Sequence, residues 1–542
     1  MRRSIGWKIK LFLDDIDVSS NLIDSLTIEA EEGSAKIAEF SLIPHAGPIS
    51  VTKWIGKSVV ISFQSEEQQY LLFKGVVDEP VYDPTSLITT FTCTDQLQEQ
   101  IRLLSKIEIN QLIQGYWSPV VFDNPSNNWL YAQDQLSTIP ASLDLDNYNE
   151  FQLTPWKCKL EPDYVFDDDK ILYQSMQVQL ANRREIHNQG NITFQYRFQR
   201  LKQREVEYIY VYPLDFCEQN YRNSTLPNVE MIKQAIDGTG WLLKGNAEYE
   251  HQRGPGWVKC GDVTFGFMIK EEIRKFLVRE ARFVLAKRFV QTVTEHYELT
   301  LKAPQSIAQL GVIANQETLS YEVPGDTDKF INISKYQPPL KDSVLDAECN
   351  YVKYLKDDDV RSNAIHTKLN QAKTTILKSH RNNIITFKTL LHPSIQRMHT
   401  VKLDSKHVKA QGKVKHIIHE CDFNQGSCIT TIAVAVSRTD NDDAVLETGL
   451  VLQLNQKAQP EEGKKIQISL PTHLGGRKSA LPYNDAWDGY TGNEKLEPGA
   501  KTYPERFAIT APGIETAQVP EDHHFPYQFD IAIPNELLLL KA

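Results

Sequence analysis

The sequence predicts a mainly β, multidomain protein with some α-helix. Three observations carry that prediction. Short alternations of apolar and polar residues recur through residues 1–105 with turn residues roughly every 8–12 positions, the pattern of an antiparallel barrel or sandwich. A second run of strand-like segments begins near residue 383. The chain is 542 residues long, 41% hydrophobic and 24% charged, which is enough apolar material for about three to five domains with separate cores.

In order along the first 105 residues, the strands are "WKIKLFL" (7–13), "LTIEAEE" (26–32), "KIAEFSLI" (36–43), "KSVVISF" (57–63), "YLLFKGVVDEPVY" (70–82) and "LITTFTCTD" (87–95). The turns fall at "DDID" and at Gly33-Ser34. "QLQEQIRLL" (96–104) reads as a short helix leaving this unit. The start, "MRRSIGWKIKLFLDD", is interrupted by Lys8 and Lys10 and reads as a first strand, not a signal peptide.

Residues 106–230 form an inserted, loop-rich β domain. Long loops over 118–156 are expected to pack down through Trp117, Trp129 and Trp156. "NITFQYRFQRLKQREVEYIYVYP" (191–213) reads as two strands around a basic turn, with Phe194, Tyr196 and Phe198 buried and Arg197 opposite. Residues 231–382 read as a mixed α/β connection. It holds a short helix within 227–245, a helical or mixed segment at 270–290, a strand at 292–304 and an Asp-capped amphipathic helix at 357–382. Residues 383–438 are closing strands of a second β unit, and 439–542 form a C-terminal β module ending in "YQFDIAIPNELLLL".

The formal charge of −11 keeps such a surface soluble and argues against general nucleic-acid affinity. No segment reaches the roughly 18 apolar residues of a membrane span. Seven scattered cysteines suit a reducing compartment better than a disulfide framework.

"HVKAQGKVKHIIHECDFNQGSCITTIAVAVSR" (407–438) poses a sharper question, because His416, His419, Cys421 and Cys428 are soft metal ligands. A two-residue loop at Gln425-Gly426 would set Asn424 opposite Ser427. One face then carries Ile417, His419, Cys421 and Phe423 opposite Cys428, Thr430, Ile432 and Val434. His416 points to the other face, and the two cysteines sit diagonally, about 7–8 Å apart. Tetrahedral ligation needs convergence within about 2.0–2.3 Å of one point. The stretch therefore reads as a core hairpin, and no metal is assigned.

This hairpin, within "HTVKLDSKHVKAQGKVKHIIHECDFNQGSCITTIAVAVSR" (399–438), resembles the closing strands of the second barrel in phage tail hub proteins. The pattern is carried by Val408, Ala410, Gly412, Val414, Ile417, His419, Gly426, Thr430 through Val436, and Arg438. The N-terminal region is similar to the first barrel of that family, through Trp54, Gly56, Val59 and Ile61, then Phe73, Gly75 and Val77, and a last strand ending at Asp95. The resemblance covers 1–105 and 383–438, and its order of barrel, insertion, helix, second barrel and tail is shared with baseplate hubs, tail-tip hubs and type VI secretion spikes. It implies two tail-tube-like β-barrels per chain and a homotrimer whose ring adapts a sixfold tube to a threefold tip. The implied partners are a tail tube or distal tail protein, a central spike, fibre or tip protein, a tape measure protein, and DNA passing without specific binding. The implied place is the virion tail tip or baseplate, assembled in the host cytoplasm. The insertion (106–230) and the C-terminal segment depart from the family pattern, and no glycine-rich needle repeat of a secretion spike is present.

Enzyme signatures are weak. The sequence contains no G-x-S-x-G, H-E-x-x-H or Walker motif. "EPDYVFDDDK" (161–170) lacks the glycine and terminal glutamate of a calcium loop and reads as solvated loop. "EDHHFPYQF" (521–529), "GTGWLLKG" (238–245) and Cys260 beside Lys259 also read as loops. No catalytic residue, cofactor or metal is assigned. The rival reading is a carbohydrate-binding or carbohydrate-active tail-tip protein presenting the aromatic residues of the middle region.

Overall fold

Every predicted run in the first 95 residues becomes a strand: β1 (Lys8–Leu13), β3 (Leu22–Glu31), β4 (Ile37–Leu42), β5 (Ser58–Gln64), β6 (Gln69–Asp83) and β7 (Ile88–Thr94), with a two-residue β2 (Ile16–Asp17) added. The structure, a computed structural model, describes residues 7–43, 52–65, 68–211, 278–436, 450–452 and 518–533, with short pieces between 233 and 264 and at 466–469, 514 and 538–539. Asp14 and Asp15 both adopt positive φ (51° and 64°), which lets a two-residue turn join β1 to β2 without splaying them. The first unit pairs in the order β3-β4-β7-β6-β5-β1-β2. Its inner face buries Leu11, Phe40, Ile61, Phe73 and Phe91, with Phe40 stacked on Phe91 at 5.2 Å and Trp54 edge-on to Phe91.

Three helices leave this unit: α1 (Leu97–Leu103), α2 (Lys106–Ile113) and α3 (Asn128–Leu136). They pack on the hairpin of β8 (Ala141–Leu145) and β9 (Phe151–Pro155). The expectation of long loops over 118–156 is thus corrected for α3 and the hairpin. α2 carries a legible start signal, a capping box between Ser105 and Glu108. Trp117 and Trp129 pack against the core of this helical module, and Trp156 packs against a separate core.

The second unit is built from Ile384–Leu390, Thr400–Asp404, Val408–Asp422 and Ser427–Val436. Within the acidic run at 161–170, the four residues Tyr164–Asp167 are not solvated loop. Tyr164–Asp167 pairs in parallel with Thr400–Asp404, because Phe166 between the acids finds a buried place against Phe387. The 427–436 hairpin differs from its expected register by two residues. Asp422 pairs with Ser427, since the Asp422 carboxylate accepts from the Asn424 and Gln425 N–H groups and closes a four-residue turn with Gly426 at positive φ. An even slip keeps every side chain on its expected face. It also sets Cys421 directly opposite Cys428, where the two form a disulfide, correcting both the diagonal placement and the expectation of unpaired thiols.

A second, nine-stranded sheet surrounds one long ribbon. Gln189–Val211 pairs residue by residue with Val278–Lys302. Two expectations are corrected here. The basic stretch at 200–204 is no turn but mid-strand, because Arg200, Lys202 and Arg204 find partners in Glu521, Asp346 and Asn350. The helical or mixed segment at 270–290 is strand from Val278 onward, where alternate Phe283, Leu285 and Phe289 bury against the ribbon partner. Tertiary packing overrides local propensity there. The ribbon takes one strand from each side of the 230/231 boundary. Its parallel neighbours are Ala314–Glu322, Ile466–Ser469 and Glu521–Asp530. The last corrects the loop reading of 521–529 and sends His523 and His524 to opposite faces. The helix Asp358–His380, capped by Asp357 as expected, lies across this sheet.

The predicted short helix within 227–245 lies largely outside the described residues, while Lys259–Cys260, expected in a loop, pairs antiparallel with Val263–Thr264. Gly238 and Gly240 take positive φ in a turn leading to Trp241. No helix among the described residues is long and apolar enough to cross a membrane.

Candidate functional site: the junction of the two β units

The strand Val408–Asp422 belongs to both units. Its first part pairs with Thr400–Asp404, and from His416 to Asp422 it pairs with β3 of the first unit. The register shifts between Val414 and His416, so Lys415 is the extra residue of a bulge. A bulge bends and twists its strand, which is what a change of partner requires. The Lys415 carbonyl then accepts from Glu32 N–H at 2.9 Å. The result is one line of pairings running from β2 through both units to Gln177–Gln179. The sheet is curled. In the second unit Tyr164–Asp167 pairs with Thr400–Asp404, and Ile171 just after it bridges Thr389 of Ile384–Leu390, so the pairings return on themselves, whereas no described strand pair joins β1 or β2 back to β3 in the first unit.

Along the inner face of this strand, Ile417 packs in the second core and Cys421 in the first. His419 lies between them, with Nδ1 at 3.0 Å from the Thr430 hydroxyl. Burial holds its pKa down to about 3, with Lys36 and His392 adding repulsion. It is a neutral polar step between two apolar cores. On the outer face, His416 meets Glu29 at 2.8 Å.

Beside His419 is a polar knot that ties four parts of the chain. Arg397 pairs with Asp144 of β8 at 3.1 Å and donates to the carbonyls of Glu31, Ser34 and Leu145 at 2.9, 3.2 and 2.7 Å. Gly33 N–H donates to Asp144 at 2.9 Å, and Lys36 donates to Asn147 Oδ1 at 2.5 Å. Asn147 in turn donates to the Leu71 carbonyl at 2.7 Å. At the rim, Arg381 grips Glu32 with both guanidinium arms at 2.9 and 3.1 Å and lies over the Trp156 ring. Such two-armed pairs fix orientation as well as charge.

Burial dominates the electrostatics. It pushes Asp144 up to about 6 against the pull of Arg397, and it brings Lys36 down to about 8 with help from Arg397. Asp95, the aspartate that ends β7, is also raised by burial. It accepts from Leu97 N–H at the start of α1. A cavity of about 30 Å³ lies between Lys36, Asp144, Arg397, Ile417 and His419. That is room for about one or two waters and not for a substrate.

These groups are engaged with one another and with backbone carbonyls, so the knot works as a mechanical joint. Of the four soft ligands in the sequence, the structure brings Cys421 and Cys428 together and sends His416 to the opposite face. Among the described residues no three His, Cys, Asp or Glu side chains converge on a metal position. The knot itself escaped sequence reasoning. Its one signal is "ASLDL" (141–145), a strand whose five residues are all buried, Asp144 included.

Three sets of known proteins bear on this architecture. No protein-family model matches the chain, and no curated protein is detectably similar in sequence. Solved structures match in shape alone, at very low identity. A tail protein from Neisseria meningitidis MC58 matches at TM-score 0.38 and 7% identity over 79% of this chain and 96% of its own. The 43 kDa tail protein of prophage MuSo2 from Shewanella oneidensis matches at 0.37 and 8%, over 79% and 98%. A component of the E. coli type VI secretion system matches at 0.29 and 5%, over 79% and 76%. These neighbours of the chain are phage tail proteins and a secretion-system component.

Proposed function

We propose that this chain is a structural subunit of a phage-like tail, the hub at the distal end of the tail tube. The observation that carries the reading is the junction. Two curled β units are joined edge to edge by the shared strand Val408–Asp422 and locked by a buried polar knot, which makes one rigid wall segment per chain. The wall ends in a short strand at each side, β2 and Gln177–Gln179. An unpaired strand edge is a template for another chain, and a ring is the arrangement in which head-to-tail edges satisfy one another. Three copies would supply six such units, matching a sixfold tube above and a threefold spike, fibre or tip protein below. A net negative chain suits a lumen through which DNA passes without being held. A tape measure protein would share that lumen during assembly in the host cytoplasm.

Negative-stain imaging of the purified chain tests this. The reading expects rings with a central opening wide enough for duplex DNA. Solid particles without an opening would contradict it. The carbohydrate reading is the second choice, because Trp117, Trp129 and Trp156 are spent on packing while Tyr148 and Tyr173 stay exposed. Retention on a polysaccharide column would favour it.

A further inference from the structure

The helix Asp358–His380 carries a second kind of site, one that reads peptide backbone. Asn370 sits in mid-helix and is 2% exposed, a costly place for an amide unless it is fully paired. Its Oδ1 accepts from Leu450 N–H at 2.8 Å, and its Nδ2 donates to the Leu450 carbonyl at 3.0 Å. One turn earlier, His366 Nε2 lies 3.1 Å from Leu452 N and 3.3 Å from its carbonyl oxygen. The spacing explains the match. Four helical residues rise about 6.0 Å, and two extended residues rise about 6.6 Å, so side chains at i and i+4 meet alternate residues of a strand. The two Leu side chains complete the contact. Leu452 is buried in the core beneath the helix, and Leu450 packs against it. Thr374, a further turn along, offers a buried hydroxyl with no partner among the described residues, where a third rung would stand.

We infer that this face is a capture groove for an extended Leu-x-Leu peptide, and that its occupant is the chain's own Leu450–Leu452. The groove recognises the backbone of alternate residues and the leucines between helix and sheet, with no charged contact. It holds the chain at Leu450–Leu452 onto the body, upstream of the strand Glu521–Asp530. The inference is independent of the tail-hub reading.

The test uses the full chain carrying Leu450→Asp and Leu452→Asp, which empties the groove, and a fluorescent peptide of residues 446–455. The expected result is saturable binding that weakens at least about tenfold when Asn370→Ala is added, for the loss of two backbone hydrogen bonds. A peptide with Leu450 and Leu452 replaced by Asp should not bind, and the unaltered chain should bind several-fold less than the emptied one because its own Leu450–Leu452 competes. Absence of saturable binding to the folded, emptied chain would overturn the inference, as would binding indifferent to Asn370→Ala. Should the double variant fail to fold, limited proteolysis of the Asn370→Ala chain decides. Cleavage within 439–465 should be several-fold faster than in the unaltered chain, and an unchanged rate would overturn the inference.

Discussion

The two large sheets of this protein solve the same problem by opposite routes. In the first unit all pairs are antiparallel, and four of them, β1 with β2, β3 with β4, β5 with β6 and β6 with β7, follow one another in sequence with their turn residues between them. In the ribbon sheet, Gln189–Val211 waits for a partner that begins at Val278, and its parallel neighbours come from Ala314–Glu322, Ile466–Ser469 and Glu521–Asp530. A parallel neighbour cannot be joined by a tight hairpin, so its sequence carries no turn signal pointing to it. The first sheet is held by local order and then joined to its neighbour by one buried knot. The second is held along its length by residues brought from far away.

That contrast can be broken most sharply at the knot. Arg397→Ala leaves Asp144 buried without its cation and strips the donors from three carbonyls, for an expected loss of about 3–5 kcal/mol. Urea unfolding followed by the first unit's Trp7 and Trp54 would record it, and a loss below about 1 kcal/mol would show that the junction is not what joins the units.

Next in size is Gly412→Val. Gly412 passes so close to the opposite strand that an added Cβ would overlap the Ala435 carbonyl, and the same holds at Gly75 against the Thr94 carbonyl. A cost of about 1–3 kcal/mol is expected by thermal unfolding. Both glycines belong to the patterns that resemble the hub family, so their spacing has a steric cause within this chain.

A smaller effect is expected from pH. The folded pKa of His419, about 3, lies below its unfolded 6.5, so the unfolded chain takes the proton first and stability is lost as pH falls from about 6.5 toward 3. Asp144 acts the other way. Its folded value, about 6, lies above 3.8, so the folded chain holds the proton in that window and regains part of the loss. The net loss at pH 4 is on the order of 1 kcal/mol. In a His419→Gln chain the slope should reverse, with midpoint temperature rising from pH 6 to 4. An unreversed slope would place the acid sensitivity elsewhere.

The smallest effect is expected at the surface. Lys57 and Asp14 pair at 2.7 Å in the open. Lys57→Ala should stay within about 0.5 kcal/mol by the same unfolding assay.

Most of the first unit was legible because alternation and turn residues sit in one stretch. The faces of the 408–436 hairpin were legible too, since an even slip in register leaves them unchanged. Its register was not, because Asp422 rather than Gln425-Gly426 decides the turn. Strand at Tyr164–Asp167 and over the first six residues of Glu521–Asp530 was hidden behind acids, histidines and a proline, while the last four belong to the strand-like run from Tyr527. Their apolar halves, Phe166 in one and Phe525 with Phe529 in the other, become meaningful only once a distant partner is in place. The knot is the extreme case. Glu32, Asp144, Arg381 and Arg397 lie up to hundreds of positions apart, and charge alone says nothing about which pairs will be buried.

The mass of the purified chain in solution, measured by light scattering across a range of concentrations, tests the central proposal most directly. The account predicts a trimer of the 62.0 kDa chain that persists on dilution. A monomer at every concentration would contradict it, because the proposed ring takes six β units and one chain supplies two.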